Sequence, residues 1–280
     1  MIADSLELIL IFGFMGFLIN WFAFSKGFYQ MPLRKESIEV SFKQLISTFG
    51  IYLGFVIFVI PFFIRLLQYL SSPLFPSMTL INVVQVLLLL AMAFWIVRFF
   101  NSQKQNLFGK IWKSSASPIA QDMGIGALTW ALSFPIVVLV GQFFDLFIYL
   151  IFGVENYEQV PVRYFKESLG SFPQVVMALF TILILAPIIE EFLFRGCLQN
   201  YLKKHLGIKF AIFLTAFCFA LFHFSFSQGL GNIALIASLF VLACFLGFIY
   251  EKRQSLYASI GLHMTFNIIS TLRILFSPEG

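Results

Sequence analysis

The sequence predicts an all-α polytopic membrane protein of about eight transmembrane helices, with a polar site among the C-terminal ones. Three observations predict it. Hydrophobic residues make up 60% of the 280 and charged residues only 11%, where a soluble domain carries about 25% charged residues. The apolar residues form runs close to the roughly 20 needed to cross about 30 Å of hydrocarbon. The charges, instead of being dispersed, gather in short clusters between those runs. With 39 phenylalanines in addition, the chain has more apolar surface than a water-soluble fold hides, and lipid is its natural solvent.

The runs fall at about 7–25, 48–70, 79–100, 123–152, 173–201, 210–227, 232–250 and 256–276. Asp4 and Glu7 precede the first, in place of the basic region of a secretory signal, so it reads as a membrane helix. Residues 31–46 alternate charged and apolar positions, which predicts an amphipathic segment on the cytoplasmic membrane surface. The fourth and fifth runs are long, and tilt or extension past the bilayer accommodates them. The seventh and eighth are joined by a short basic hairpin, Glu251-Lys252-Arg253-Gln254. No internal repeat stands out. The chain divides into N-terminal membrane helices over 1–121 and a second, chemistry-bearing module over 122–280.

Lysines and arginines set the orientation. Thirteen follow the odd-numbered runs (Lys26, Arg34, Lys35 and Lys43; Arg98, Lys104, Lys110 and Lys113; Lys203, Lys204 and Lys209; Lys252 and Arg253). The other side has four, Arg65, Arg163, Lys166 and Arg273. The positive-inside rule then places both termini outside. This clustering accounts for the net charge of +5 without a nucleic-acid partner. Cys197, Cys218 and Cys244 all lie in apolar runs without a C-x-x-C partner, and read as buried small hydrophobes.

Ionisable groups inside a bilayer are costly and therefore candidates for function. They are Glu190, Glu191 and Arg195 in the fifth run, His223 in the sixth, His263 in the eighth and Asp145 in the fourth, with Asn267 as a neutral polar companion. On a helix Glu191 and Arg195 share a face, acid first, the favourable order for pairing. Glu190 lies about 100° further round and is free to point elsewhere. Pro187, just before the pair, predicts a kink. Phe219 shares a face with His223, and His263 with Asn267. Asp145, near Gln142, reads as interfacial, and His205 as a solvated loop residue.

Depth supplies an independent argument. Glu190 precedes the Lys203–Lys209 turn by about 13 residues and His223 follows it by about 14, so both lie roughly 20 Å from it. His263 stands on the order of 15 Å beyond Arg253 on the same side. Three spans thus carry their rare polar groups at similar depth. A carboxylate and an imidazole deprotonate a water, and a second imidazole with a carboxamide donates to the oxyanion formed on a carbonyl.

The series Glu-Glu-x-x-x-Arg, Phe-x-x-x-His and His-x-x-x-Asn, each in a membrane run, resembles the motifs of the CAAX protease and bacteriocin-processing family. The resemblance spans about residues 173–270, and the form Glu-Glu-Phe-Leu-Phe-Arg-Gly is similar to its bacterial branch. It implies an intramembrane endopeptidase of a bacterial cell membrane acting on a peptide or lipidated protein, with membrane lipid around it. It further implies that Glu190 and His223 activate water, that His263 and Asn267 form the oxyanion site, and that Glu191 and Arg195 support them. No cofactor is implied. A zinc variant is the first alternative, although the His-Glu-x-x-His signature is absent. The second is a scaffold, immunity factor or transporter using the same polar cluster.

Overall fold

A computed structural model of the chain describes residues 2–31, 38–70, 78–101, 107–154 and 160–276. Among them all regular structure is helical, apart from one isolated bridge between Lys113 and Ser255. Helix α1 is Ile2–Ser25, and α2, Phe42–Gly54, runs through a π-helical stretch into α3, Ile60–Leu70. Next come α4, Met78–Asn101, the short α5, Leu107–Trp112, and the long α6, Ile119–Phe152. Helix α7 is Val160–Ser168. A composite rod follows: α8, Phe172–Phe180, a π segment, α9, Ala186–Glu191, a second π segment, Phe192–Gln199, and α10, Asn200–Leu221. Helices α11, Gly231–Arg253, and α12, Leu256–Leu275, complete the chain.

Among the described residues six helical runs are long and apolar enough to cross a membrane, against the eight expected. Two particulars account for the difference. The expected fifth and sixth runs form one stretch, Phe172–Leu221, interrupted at Gly207, whose φ of 77° and ψ of 170° no helix contains. A positive φ suits glycine, which has no Cβ to clash. The chain doubles back there: Phe194 and Phe219, on opposite sides of Gly207, bring their rings to 5.1 Å. The expected eighth run is α12, which is helical throughout but diluted by the polar groups His263, Thr265, Asn267 and Ser270.

Residues 32–37 of the expected amphipathic segment lie outside the described residues. Over 38–40 burial alternates: Ile38 and Val40 are buried, whereas the exposed Glu39 pairs with Lys204 Nζ at 2.8 Å. Helix α2 starts immediately afterwards, with Ser41 as N-cap in a capping box with Gln44. The reciprocal bonds satisfy two backbone donors at the helix start.

Helix α6, with 34 residues, is about 51 Å long. It packs on α1, α11 and α12. Asn20 of α1 donates to Leu132 O on α6 at 3.1 Å and accepts from the Tyr29 hydroxyl. Against α12 the approach is closer still: a Cβ at Gly126 would run into the carbonyl of Ala258, and one at Gly261 into that of Met123. Small residues let helix backbones meet where no water drives association. This crossing sets α12, and with it His263, against the bundle.

The loops after the first, third, fifth and seventh predicted runs meet at one end. Lys252 Nζ reaches Gln30 O at 3.0 Å, Ser114 N donates to Gln254 O at 3.0 Å, and Arg253 pairs with the buried Asp122 at 2.8 Å. Beneath them Gln199 Nε2 donates to Gly247 O and Glu251 Oε1, both at 3.1 Å, and Lys203 Nζ binds Glu251 Oε1 at 3.0 Å. Cys197 is buried and Cys244 partly so, but Cys218 is exposed. An apolar run gives no sign of which face meets lipid, so the expectation that all three are buried fails at Cys218. His205 is exposed as expected, but belongs to α10 instead of a loop and sits 4.9 Å from the Tyr201 ring.

Candidate active site between the membrane helices

The rod carrying Glu190 is not a uniform α-helix, and the departure begins at a proline. Residues 181–185 are π-helical, and Ala186 N–H bonds to Thr181 O instead of Ile182 O. In that register Ile182 O would next look to residue 187, but Pro187 has no N–H. Asn267 Nδ2, from α12, donates to this released carbonyl at 2.8 Å. The kink expected at Pro187 is therefore a π-bulge just before it, and the orphan carbonyl ties α12 to the rod. Such bulges are frequent at functional sites. A second π segment, Phe192–Gln199, starts right after Glu191.

Glu190, His223, His263 and Asn267 line one cavity of about 370 Å³. Glu190 Oε2 lies 3.9 Å from His223 Nε2 and 3.8 Å from His263 Nε2. These separations exceed a direct hydrogen bond and are short enough for a water to bridge the carboxylate to either imidazole. The His223 Nδ1 bonds to Phe219 O at 2.9 Å. A carbonyl only accepts, so Nδ1 carries the hydrogen and the Nε2 of a neutral ring keeps its lone pair toward Glu190.

Behind this layer Glu191 and Arg195 are completely buried. Arg195 Nη1 donates to Glu191 Oε1 at 2.9 Å, as the four-residue spacing predicts, and its Nη2 donates to Ala243 O at 3.1 Å. The same Glu191 oxygen lies 2.8 Å from His263 Nδ1. Glu191 is thus not only the partner of Arg195 but also the group that holds the His263 ring, leaving Nε2 toward Glu190. The Phe219 ring fills the space among these groups, 4.8 Å from His223 and 5.9 Å from His263, with the Arg195 guanidinium 4.5 Å from its centre. Neither of these roles was readable from spacing along one helix, because each partner comes from a helix distant in sequence.

The remaining lining is largely apolar, with Phe165, Phe222, Leu235 and Phe266 prominent. Some phenylalanines therefore line the cavity in addition to packing and facing lipid. Asp145, with Gln142, Lys166 and Arg273, lines a second cavity that shares Leu239, Phe266 and Ser270 with the first. Asn232, unremarked in the sequence, clamps the loop over the cavity. It accepts from Ser225 N at 3.0 Å and donates to Ser225 O at 2.7 Å and Gly229 O at 2.9 Å. Among the described residues no group of three His, Cys, Asp or Glu side chains is arranged to hold a metal ion.

An acid flanked by two imidazoles thus lines a cavity among the helices of an integral membrane protein. A family model described as type II CAAX prenyl endopeptidase Rce1-like matches residues 172–269. The matched segment is similar to that family, and it contains all seven motif residues from Glu190 to Asn267. No curated protein and no solved structure matches it.

Proposed function

We propose that the protein is an intramembrane endopeptidase that hydrolyses a peptide bond with a water activated by Glu190. One observation carries the reading: a single carboxylate oxygen faces two imidazole Nε2 atoms, at 3.9 and 3.8 Å, on the wall of one cavity. Glu190 takes a proton from the water as it attacks the substrate carbonyl, with His223 Nε2 accepting the water's other hydrogen bond. His263 enters the step already protonated at Nε2 by a proton from solvent and donates a hydrogen bond to the oxyanion, with Glu191 at its Nδ1 stabilising the imidazolium. Asn267 spends one amide hydrogen on Ile182 O and has a second for the same oxyanion. The proton on Glu190 then passes to the leaving amine. The proposed mechanism is glutamate-dependent and uses no metal.

The substrate is a peptide or lipidated protein segment reaching the cavity from the bilayer. The positive-inside asymmetry favours a cell-membrane topology with both termini outside, and the motif form favours a bacterial membrane. The test is Glu190→Gln in the purified, reconstituted protein, with membrane peptides from both forms compared by mass spectrometry. Cleavage falls at least ~100-fold while the thermal midpoint holds, and the wild type keeps its activity in a chelator. Identical products from both forms would remove the hydrolase reading and leave a scaffold or transporter. Activity lost to chelator and restored by zinc would replace the water base with a metal.

A further inference from the structure

Gln228 lies outside the motifs and outside the mechanism above, yet it is on the wall of the same cavity. It is 6% exposed, and its side-chain Nε2 is buried without a hydrogen-bond partner among the described residues. A buried amide donor left unpaired costs about 1–3 kcal/mol. Such a cost is retained where a ligand relieves it. The loop around it is not slack: Gln228 ends a 3₁₀ turn, Phe226–Gln228, its own N–H bonds to Ser225 O at 3.1 Å, and Asn232 clamps Ser225 and Gly229 on both sides of that turn. The unpaired donor thus belongs to a residue of a cavity wall whose other surface is mostly carbon.

We infer that Gln228 is a substrate-positioning residue, whose amide donates to a backbone carbonyl of an apolar peptide segment seated in the cavity beside Glu190. The occupant is apolar because Phe165, Phe222, Leu235, Leu239 and Leu242 form the surrounding wall. It bears a carbonyl because an unpaired amide N–H needs an acceptor, and a peptide segment among apolar side chains offers its backbone carbonyl. The inference deepens the peptidase reading and rests on it only for the occupant's being a peptide. Gln228 fixes which carbonyl lies toward Glu190, so it governs affinity and register without taking part in proton transfer.

The experiment uses full-length protein in lipid nanodiscs, with Glu190→Gln present to stop turnover, with and without Gln228→Met. Methionine keeps the bulk and lacks the donor. Two probes are titrated by thermal-midpoint shift: the blocked peptide N-acetyl-Leu-Phe-Leu-amide, and decylbenzene, which fills apolar space and offers no acceptor. Gln228→Met is expected to weaken the peptide roughly tenfold, one net hydrogen bond, to leave decylbenzene unchanged, and not to lower the midpoint of the unliganded protein. Unchanged peptide affinity overturns the inference. So does equal loss of both probes with a lowered midpoint, which makes Gln228 structural, and so does a parent protein that binds no peptide. If the expected pattern holds but wild-type protein cleaves nothing, hydrolysis falls and Gln228 stands as a peptide-binding residue.

Discussion

At the residue scale, Glu191 shows how much one carboxylate does when it is fully buried. Its Oε1 meets Arg195 Nη1 at 2.9 Å and His263 Nδ1 at 2.8 Å, so it neutralises one group and orients another. The two duties separate by mutation. Arg195→Met strands a buried carboxylate and costs about 3–5 kcal/mol of stability, read as a lower unfolding midpoint in detergent. Glu191→Gln keeps the shape and an acceptor for Arg195 but leaves that guanidinium without its counter-charge and no longer stabilises a protonated His263, so the midpoint drops and cleavage per folded molecule falls roughly 100-fold. Equal activity in the Gln variant would show that His263 needs no carboxylate behind it. The Glu191–Arg195 pairing was legible in the sequence because it is local to one helix. The contact with His263, 72 positions away, was not, because spacing within a run says nothing of which neighbour it meets.

At the element scale, the rod from Phe172 to Gln199 owes its shape to backbone hydrogen bonding. The π stretch at 181–185 and the missing N–H of Pro187 together leave Ile182 O for Asn267, which couples α12 to the rod. Asn267→Ala alone strands that carbonyl and destabilises by about 1–3 kcal/mol. Pro187→Ala supplies an N–H for it, so in that background the loss from Asn267→Ala shrinks, a coupling that a double-mutant cycle in thermal unfolding reads directly. Additive losses would mean that Asn267 stabilises the fold through something other than the carbonyl released at Pro187. A proline in an apolar run announced a kink; that the kink would create an acceptor for a specific amide depended on where α12 lies.

At the scale of the whole molecule, the site exists because α6 and α12 approach closely enough at Gly126 and Gly261 to seat His263 opposite Glu190. Gly261→Ala places a methyl against the Met123 backbone, which cannot rotate away. Overpacking of this kind costs about 1–3 kcal/mol, and cleavage falls with the midpoint because His263 is two residues further on. Unaltered stability would mean that the crossing is looser than the backbone distances indicate. The loops that converge at the Arg253–Asp122 end make a second expectation. Single cysteines replacing Lys26, Lys110, Lys209 and Lys252 label from one side of sealed membranes with an impermeant reagent, and one replacing Arg163 labels from the other. A mixed pattern would break the inferred topology.

Composition by itself determined the solvent: so few charges among so many phenylalanines leave only lipid, and in lipid helices satisfy their own backbone. The rarity of ionisable groups in the runs also singled out Glu190, His223 and His263, since each is expensive there unless used. Tertiary structure alone decided the rest. Where Phe172–Leu221 doubles back, which carboxylate steadies which imidazole, and that Gln228 and Asn232 belong beside the site all depend on contacts between distant segments. Periodicity reports the face of a helix; packing between close-fitting helices selects the partner it meets.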